Sequence, residues 1–506
     1  MNQALAQSTQ ATVYLANAQI IDGTNAPGYL ADIEIHAGLI VAIHPIGNAN
    51  SQQHLAKPLT DQTWVDCTGL TIAPGFIDVH THDDALVLQS CEAGAFHPKL
   101  SQGVTSVITG NCGVSLAPLI TESPPAPLDI LGCSGWRFAS FVDYLHAVNN
   151  ADLVVNVACM IGHTTLRAHT LSDLSKPASN AEQLIMRAQV QAALHAGAIG
   201  VSTGVYYPPA RAATTEEVVS ICGPLKEFSL PVAMHLRDEG DAIDQAMQEA
   251  FAIGRAAECT VILSHHKIIG AQNAGRSKHT LAAFDLAANS QSVCMDCYPY
   301  DASSTMLFTS RVAQSRDVLI TWSSSMPEAK GQLISELAMQ ANISIEAMAD
   351  QLQPAGAIYF AMDEGDVREI LRHPETMIGS DGLAHDANPH PRLWGSFTRV
   401  IGRYSRQLNL FPLETAIYKM TGLSAKRFGL DQASHHRPAR GQIRVGWAAD
   451  LVVFDAQTVI DHADYQHPQR ASSGIAQVYV NGVLAALDGR TLDARAGALL
   501  RNTQYV

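Results

Sequence analysis

Basic residues are scarce in this chain. Its 32 Lys and Arg stand against 47 Asp and Glu, a formal net charge of −15. Nucleic acid phosphates want a basic face, so this balance argues against nucleic acid as a partner and against docking on an anionic membrane. Long apolar runs are missing too, and none approaches the length of a membrane span. Met1–Ala11 has neither the basic start nor the apolar stretch of a secretory leader. Cysteine is odd in number: nine, scattered over 506 residues. That spread argues against a disulfide framework and makes a reducing cytoplasm the expected home. One Cys-x-x-Cys is present, Cys294 to Cys297. Cys297 also lies in an apolar, strand-like run, which weighs against a redox or zinc-knuckle pair. No internal repeat or low-complexity tract is visible.

What is present is the composition of a soluble, well-packed protein, 47% hydrophobic and 16% charged, long enough for two or three domains. Residues 1–69 alternate apolar and polar positions from about Ala11, with strands at Thr12–Leu15 and Asp32–Ile35 and turn signals at Asp22-Gly23 and Ala37-Gly38. Residues 433–506 have the same character. Asp450–Phe454 and Gln477–Val480 read as strands, and Asn481-Gly482 as a hairpin turn. The two ends are expected to pair into one small β-sandwich domain.

Between them, residues 70–432 alternate strand and helix. Candidate strands start near Leu70, Val104, Leu153, Ala198, Val232, Thr260, Ser292 and Thr376, the count of a parallel (β/α)8 TIM-like barrel. Ala181–Ala196 and Glu216–Phe228 show helical spacing. The stretch from Tyr300 to Glu375 is too long for a βα loop. With helix-like Pro327–Gln340 and Ser344–Gln351, it is expected to place an inserted lid at about 302–360. The fold class is therefore α/β, a barrel with a small domain built from both termini.

Five apolar runs end on residues able to bind a transition metal. Leu70–Val79 delivers His80 and His82, Val104–Ile108 delivers Cys112, Val232–Met234 delivers His235, Val261–Leu263 delivers His265, and Met377–Ile378 delivers Asp381. A short apolar run capped by a polar residue fits a strand buried on both faces, and the C-terminal ends of barrel strands converge on one face. In an extended chain His80 and His82, two apart, point the same way. Glycines at 110 and 113 let the backbone bring the Cys112 sulfur close to an ion. Each residue alone has a plainer explanation, as a core histidine, an inert buried thiol or an aspartate in a turn. Six together do not. His266 is the weaker candidate, because its side chain should point away from the mouth.

Mixed Cys and His donors favour zinc over magnesium or calcium. Cys112, His235 and His265 would leave an open water position on one zinc; His80, His82 and Asp381 could hold a second ion sharing the sulfur. An aspartate beside the activated water can take its proton and pass it to a leaving amine.

This ordered set resembles the amidohydrolase superfamily. Gly110-Asn111-Cys112-Gly113 is similar to the segment that replaces the carboxylated lysine in the N-acyl-D-amino-acid deacylases, or D-aminoacylases. Gly162–Arg167, Ser202-Thr203-Gly204, Tyr207-Pro208-Pro209, Gly275-Arg276-Ser277, Tyr298-Pro299-Tyr300 and His390–Gly395 are similar to that family as well. The resemblance implies hydrolysis of a small N-acyl-D-amino acid to a carboxylate and a free D-amino acid. It implies zinc ligands at Cys112, His235 and His265, with His80 and His82 at the weaker place, and Asp381 as general acid/base. It further implies that Lys267, Tyr298, Ser304 and Arg392 hold the α-carboxylate. The preferred D-side chain is open: Arg311 either meets an acidic side chain or, as the favoured expectation, lies solvated on the lid, and Met306, Leu307 and Phe308 offer an apolar alternative. Two rivals stand beside this reading, a cyclic-amide hydrolase like the hydantoinases and dihydroorotases, and a non-catalytic barrel scaffold. The oligomeric state is not legible.

Overall fold

The apolar run that ends at His80 is shared between two sheets. In the computed structural model, which describes residues 12–46, 62–132 and 134–505, Thr71–Pro74 joins a sheet drawn from both ends of the chain and Phe76–Asp78 opens the barrel. Gly75 makes the break. A Cβ there would stand 2.2 Å from Thr105 Oγ1, so only glycine lets the two segments cross the neighbouring strand. Met1–Ala11 and Cys133 lie outside the described residues.

The barrel strands are Phe76–Asp78 (β1), Val104–Thr109 (β2), Asn156–Cys159 continued by Ile161–Gly162 (β3), Val201–Gly204 (β4), Val232–His235 (β5), Val261–Leu263 (β6), Val293–Cys297 (β7) and Thr376–Ile378 (β8). Neighbours pair in parallel from β1 through β8. The ring closes just beyond the strand ends, where Asp381 N–H donates to the His80 carbonyl at 2.8 Å and Thr81 bridges Gly382. Inside, Ile77, Ile108, Ala158, Ala233, Ile262 and Met377 form one buried layer; outside, residues such as Val107, Val157 and Val261 pack against the helices. Burial on both faces is why these strands are uninterrupted apolar runs.

Nine strands make the second sheet, in the order Arg490–Thr491, Val483–Leu487, Ile475–Val480, Leu451–Phe454, Thr71–Pro74, Thr12–Ile20, Tyr29–His36 and Leu39–Pro45, with Gln62–Asp66 parallel to Thr12–Ile20. Alternation reflects a face turned outward: Ala31, Ile33 and Ile35 are buried while Leu30 and His36 are exposed. Two of the three expected turns form with left-handed backbone at both residues, Ala37 and Gly38 at φ 49° and 82°, Asn481 and Gly482 at φ 47° and 78°; at Asp22-Gly23 only the glycine is left-handed, at φ 78°.

The helix expected at Ala181–Ala196 runs Asn180–His195, started by a capping box in which Ser179 and Glu182 satisfy each other's backbone. Glu216–Phe228 is not one helix. It divides into Thr215–Cys222 and Leu225–Phe228 because Pro224 cannot continue the hydrogen-bond ladder. The long insertion carries a three-stranded antiparallel sheet, Ser303–Met306, Val318–Ser323 and Ala355–Tyr359, with helices Ile334–Ala341 and Ile345–Leu352. Its first strand reaches the barrel mouth. Among the described residues no helix is long and apolar enough to cross a membrane.

Candidate metal centre and active site

All six candidate ligands meet at the C-terminal mouth, and all are buried. They form two groups whose donor atoms lie within 4.8 Å of one another: His80, His82, Cys112 and Asp381 in one, Cys112, His235 and His265 in the other. Cys112 belongs to both. Its Sγ lies 3.2 Å from His80 Nε2 and 3.2 Å from His265 Nε2. His235 Nδ1 is 2.9 Å from His265 Nε2, and Asp381 Oδ1 is 3.5 Å from His80 Nε2 and 3.3 Å from His82 Nε2. Lone-pair-bearing atoms of unlike residues do not gather this way by apolar packing.

Three of the six sit where an L-residue is strained: Cys112 at φ 54°, His265 at φ 37° and Asp381 at φ 50°. For Cys112 the neighbours fix that conformation. A Cβ on Gly110 would lie 2.0 Å from the Met160 carbonyl oxygen, and one on Gly113 would lie 2.6 Å from the Gly204 nitrogen. Asp84 holds the same loop by accepting the N–H groups of Gly110 and Leu116 at 3.2 and 3.4 Å.

Carboxylates stand behind the Nδ1 atoms of His80 and His265. His80 Nδ1 is 3.1 Å from Asp296 Oδ1, which also accepts the His265 N–H at 2.8 Å. His265 Nδ1 is 3.2 Å from Glu239 Oε1. Asp78, the last residue of β1, accepts Ser380 N–H at 2.8 Å and pairs with Lys99 Nζ at 2.8 Å, tying β1 to the end of β8 just before Asp381. His266 turns outward to Thr280 Oγ1 at 3.1 Å. The Cys-x-x-Cys does not bring its sulfurs together: Cys294 faces the barrel interior and Cys297 the surrounding helices.

Charge follows geometry. Burial would push the Cys112 thiol up, but the imidazoles of His80, His265 and His235 outweigh it and hold the group well below the usual thiol range. Burial likewise opposes ionisation of Asp381, and Arg392, His80 and His82 overcome it, keeping the carboxyl well below its ordinary value. A thiolate and a carboxylate therefore face the imidazoles.

The four residues expected to hold substrate surround the same place. Lys267 and Ser304 line a pocket with His82, Tyr207, His235, His265, Ser303, Thr305, Arg311 and Asp381. Arg392 Nη1 is 2.8 Å from Asp381 Oδ2, Arg392 Nη2 donates to the Ser304 carbonyl at 3.1 Å, and its guanidinium lies over the Tyr298 ring at 4.5 Å. Burial pushes the Tyr298 phenol well above its usual value, so its hydroxyl is a neutral donor. Ser304 Oγ is buried with no hydrogen-bond partner among the described residues.

The favoured expectation for Arg311 is not met. It is 2% exposed, donates to Ser303 Oγ at 3.1 Å, and reaches Glu239 Oε2 at 3.4 Å. The short helix Thr309–Val312 turns it inward, between the rings of Tyr206 and Tyr359. Glu239 and Asp296 were also missed. Asp296 carried a signal, a charged residue inside a strand buried on both faces. Glu239, in a polar turn after β5, carried none.

A sequence profile of the Amidohydrolase family matches residues 63–324 and 324–486. The chain is 48% identical to D-aminoacylase of Alcaligenes xylosoxydans xylosoxydans, covering 97% of each chain. The chain belongs to the N-acyl-D-amino-acid deacylase family of amidohydrolases. N-acyl-D-aspartate deacylase of the same organism is 46% identical to this family member, over 97% of this chain and 95% of that one. A crystal structure of D-aminoacylase superposes with a TM-score of 0.90 at 48% identity, over 97% of this chain and 99% of that one. N-acyl-D-glutamate deacylase from Bordetella bronchiseptica, solved with zinc and a phosphonate mimic of the tetrahedral intermediate, gives 0.88 at 40% identity, over 97% and 100%. L-hydantoinase from Arthrobacter aurescens, at a TM-score of 0.58 and 14% identity over 97% and 100%, shares the fold alone.

Proposed function

We propose that this deacylase-family chain uses zinc to hydrolyse N-acyl-D-amino acids to a carboxylate and a free D-amino acid. One observation carries the reading: a single buried thiolate, Cys112, belongs to two converging donor groups, with Asp381 on their rim. Thiolate with imidazole fits zinc better than a hard cation. Cys112, His235 and His265 would hold the tighter ion; His80, His82 and Asp381 would hold a second, weaker one. Bound there, zinc would supply polarisation of the amide carbonyl and a water whose pKa would fall to ~7.

Asp381 acts as general base and then general acid. It takes the proton of the attacking water and returns it to the leaving nitrogen. Arg392, at 2.8 Å, keeps it ionised for the first step. Lys267, Tyr298, Ser304 and Arg392 hold the α-carboxylate, and the partnerless Ser304 Oγ supports that assignment. A carboxylate fixed at that wall presents the carbonyl to the metal face from one enantiomer only. The position of Arg311 in the pocket favours an acidic D-side chain, which its guanidinium can bind in two places. The eight described cysteines are all free, which supports a reducing, cytoplasmic home.

A panel of N-acetyl-D- and L-amino acids spanning Met, Leu, Glu and Asp, with a hydantoin beside it, tests the reading. Release of D-amino acid is expected, fastest from the acidic pair. Turnover of the hydantoin alone would give the cyclic-amide reading instead.

A further inference from the structure

Glu239 stands four residues beyond His235, on the turn after β5, with 2% of its surface exposed. Its Oε1 is 2.5 Å from Lys267 Nζ and 3.2 Å from His265 Nδ1, and Lys267 Nζ itself stands 2.7 Å from that same ring nitrogen, between the carboxylate and the imidazole. Its Oε2 is 3.4 Å from Arg311 Nη2 and 3.7 Å from His235 Nε2, a distance that leaves this buried nitrogen without a hydrogen-bond partner among the described residues while the cations hold the carboxylate. One carboxylate thus faces two imidazoles and two cations. The opposite nitrogens of the same rings, His235 Nδ1 and His265 Nε2, point into the donor cluster beside Cys112.

An imidazole that gives one nitrogen to an ion carries its hydrogen on the other. A carboxylate accepting that hydrogen fixes the ring and strengthens it as a ligand. Lys267 and Arg311 compete for the same two oxygens. An anionic substrate that pairs with these cations weakens their claim on Glu239 and leaves its oxygens to the imidazoles. We propose that Glu239 is a positioning and specificity-determining residue that ties capture of the substrate's carboxylates to the grip of His235 and His265 on zinc. The substrate half rests on the function proposed above; the metal half does not.

The test follows zinc transfer from the loaded full-length protein to a chelator, without substrate, in Glu239→Gln, Glu239→Asp and Glu239→Gln/Lys267→Met. Zinc is expected to leave Glu239→Gln roughly 10–100-fold faster than the wild type. Glu239→Asp should fall between, and the double variant should stay as fast as Glu239→Gln. Wild-type release from Glu239→Gln, or full recovery in the double variant, would overturn the proposal; recovery would mean that Glu239 only neutralises Lys267. If Glu239→Gln does not fold, wild-type release from Glu239→Asp would overturn it equally. With two cations freed, the kcat/KM ratio of N-acetyl-D-glutamate to N-acetyl-D-leucine should rise several-fold in Glu239→Gln, and an unchanged ratio would remove the specificity role. A wild-type protein inactive on every N-acyl-D-amino acid would end the functional reading while leaving the zinc-release result to stand by itself.

Discussion

Ile262 and His265 lie three residues apart on one strand and its exit, yet they live under different rules. Ile262 packs with Ile108, Ala233 and Met377 in the barrel interior, on ordinary extended backbone, and needs only volume and apolarity. His265 sits at φ 37°, its ring held by Cys112 on one side and Glu239 on the other. The lower layer is a packing problem with many solutions. The mouth is a problem of orientation, where backbone strain is retained because several charged neighbours fix each ring. Below, substitutions should alter stability and spare chemistry; above, the reverse.

The largest break in that contrast comes from Cys112→Ala. Because both donor groups use the sulfur, bound zinc by metal analysis should fall sharply and turnover should vanish into background. Asp381→Ala comes next: kcat should drop on the order of 10³-fold while the tighter zinc and the melting curve are retained. Near-normal turnover by that folded variant would reject its acid/base role. Ile262→Ala tests the layer beneath. It should cost about 2–5 kcal/mol in denaturant unfolding, with kcat per folded molecule near that of the wild type.

Arg311→Leu should lower kcat/KM for N-acetyl-D-glutamate by roughly 100-fold, the scale of a lost charged contact, with far less effect on N-acetyl-D-leucine. Equal losses on both would assign Arg311 to the structure of the lid. The smallest effect sharpens the comparison from an intermediate position. Glu217, behind the Cys112 loop, is buried against His163 and Arg167 and bonds no pocket group. Burial raises its pKa, but His163, Arg167 and the Ala178 N–H outweigh it and bring the group down to about 2. A depressed carboxyl stabilises the fold above the unfolded value of ~4.3 and loses that contribution as pH falls toward about 2. Acid unfolding of Glu217→Gln should therefore show a shallower pH dependence than the wild type across that window, with zinc content at neutral pH unchanged.

The ligand set was legible because a strand buried on both faces makes any polar residue at its end conspicuous. His80, Cys112, His235, His265 and Asp381 all stand out that way, and the count of eight runs gave the barrel. The division of Leu70–Val79 between two sheets was not legible, since both halves are equally apolar and only the Gly75–Thr105 crossing separates them. Pro224 is a breaker visible in the sequence, and it divides Glu216–Phe228. Glu239 and Arg311 were hidden for a different reason. Glu239 follows Arg237 and Asp238, and Arg311 follows Thr309 and Ser310, so each looks like a solvated charge, and only the fold shows that the two charges are buried against each other.

The central claim is that one thiolate, Cys112, binds the metal that does the chemistry. X-ray absorption at the zinc edge measures this directly on the loaded protein. A sulfur neighbour at ~2.3 Å with nitrogen or oxygen neighbours at ~2.0–2.2 Å is expected, the sulfur disappearing in Cys112→Ser. A shell of nitrogen and oxygen alone in the wild type would contradict it.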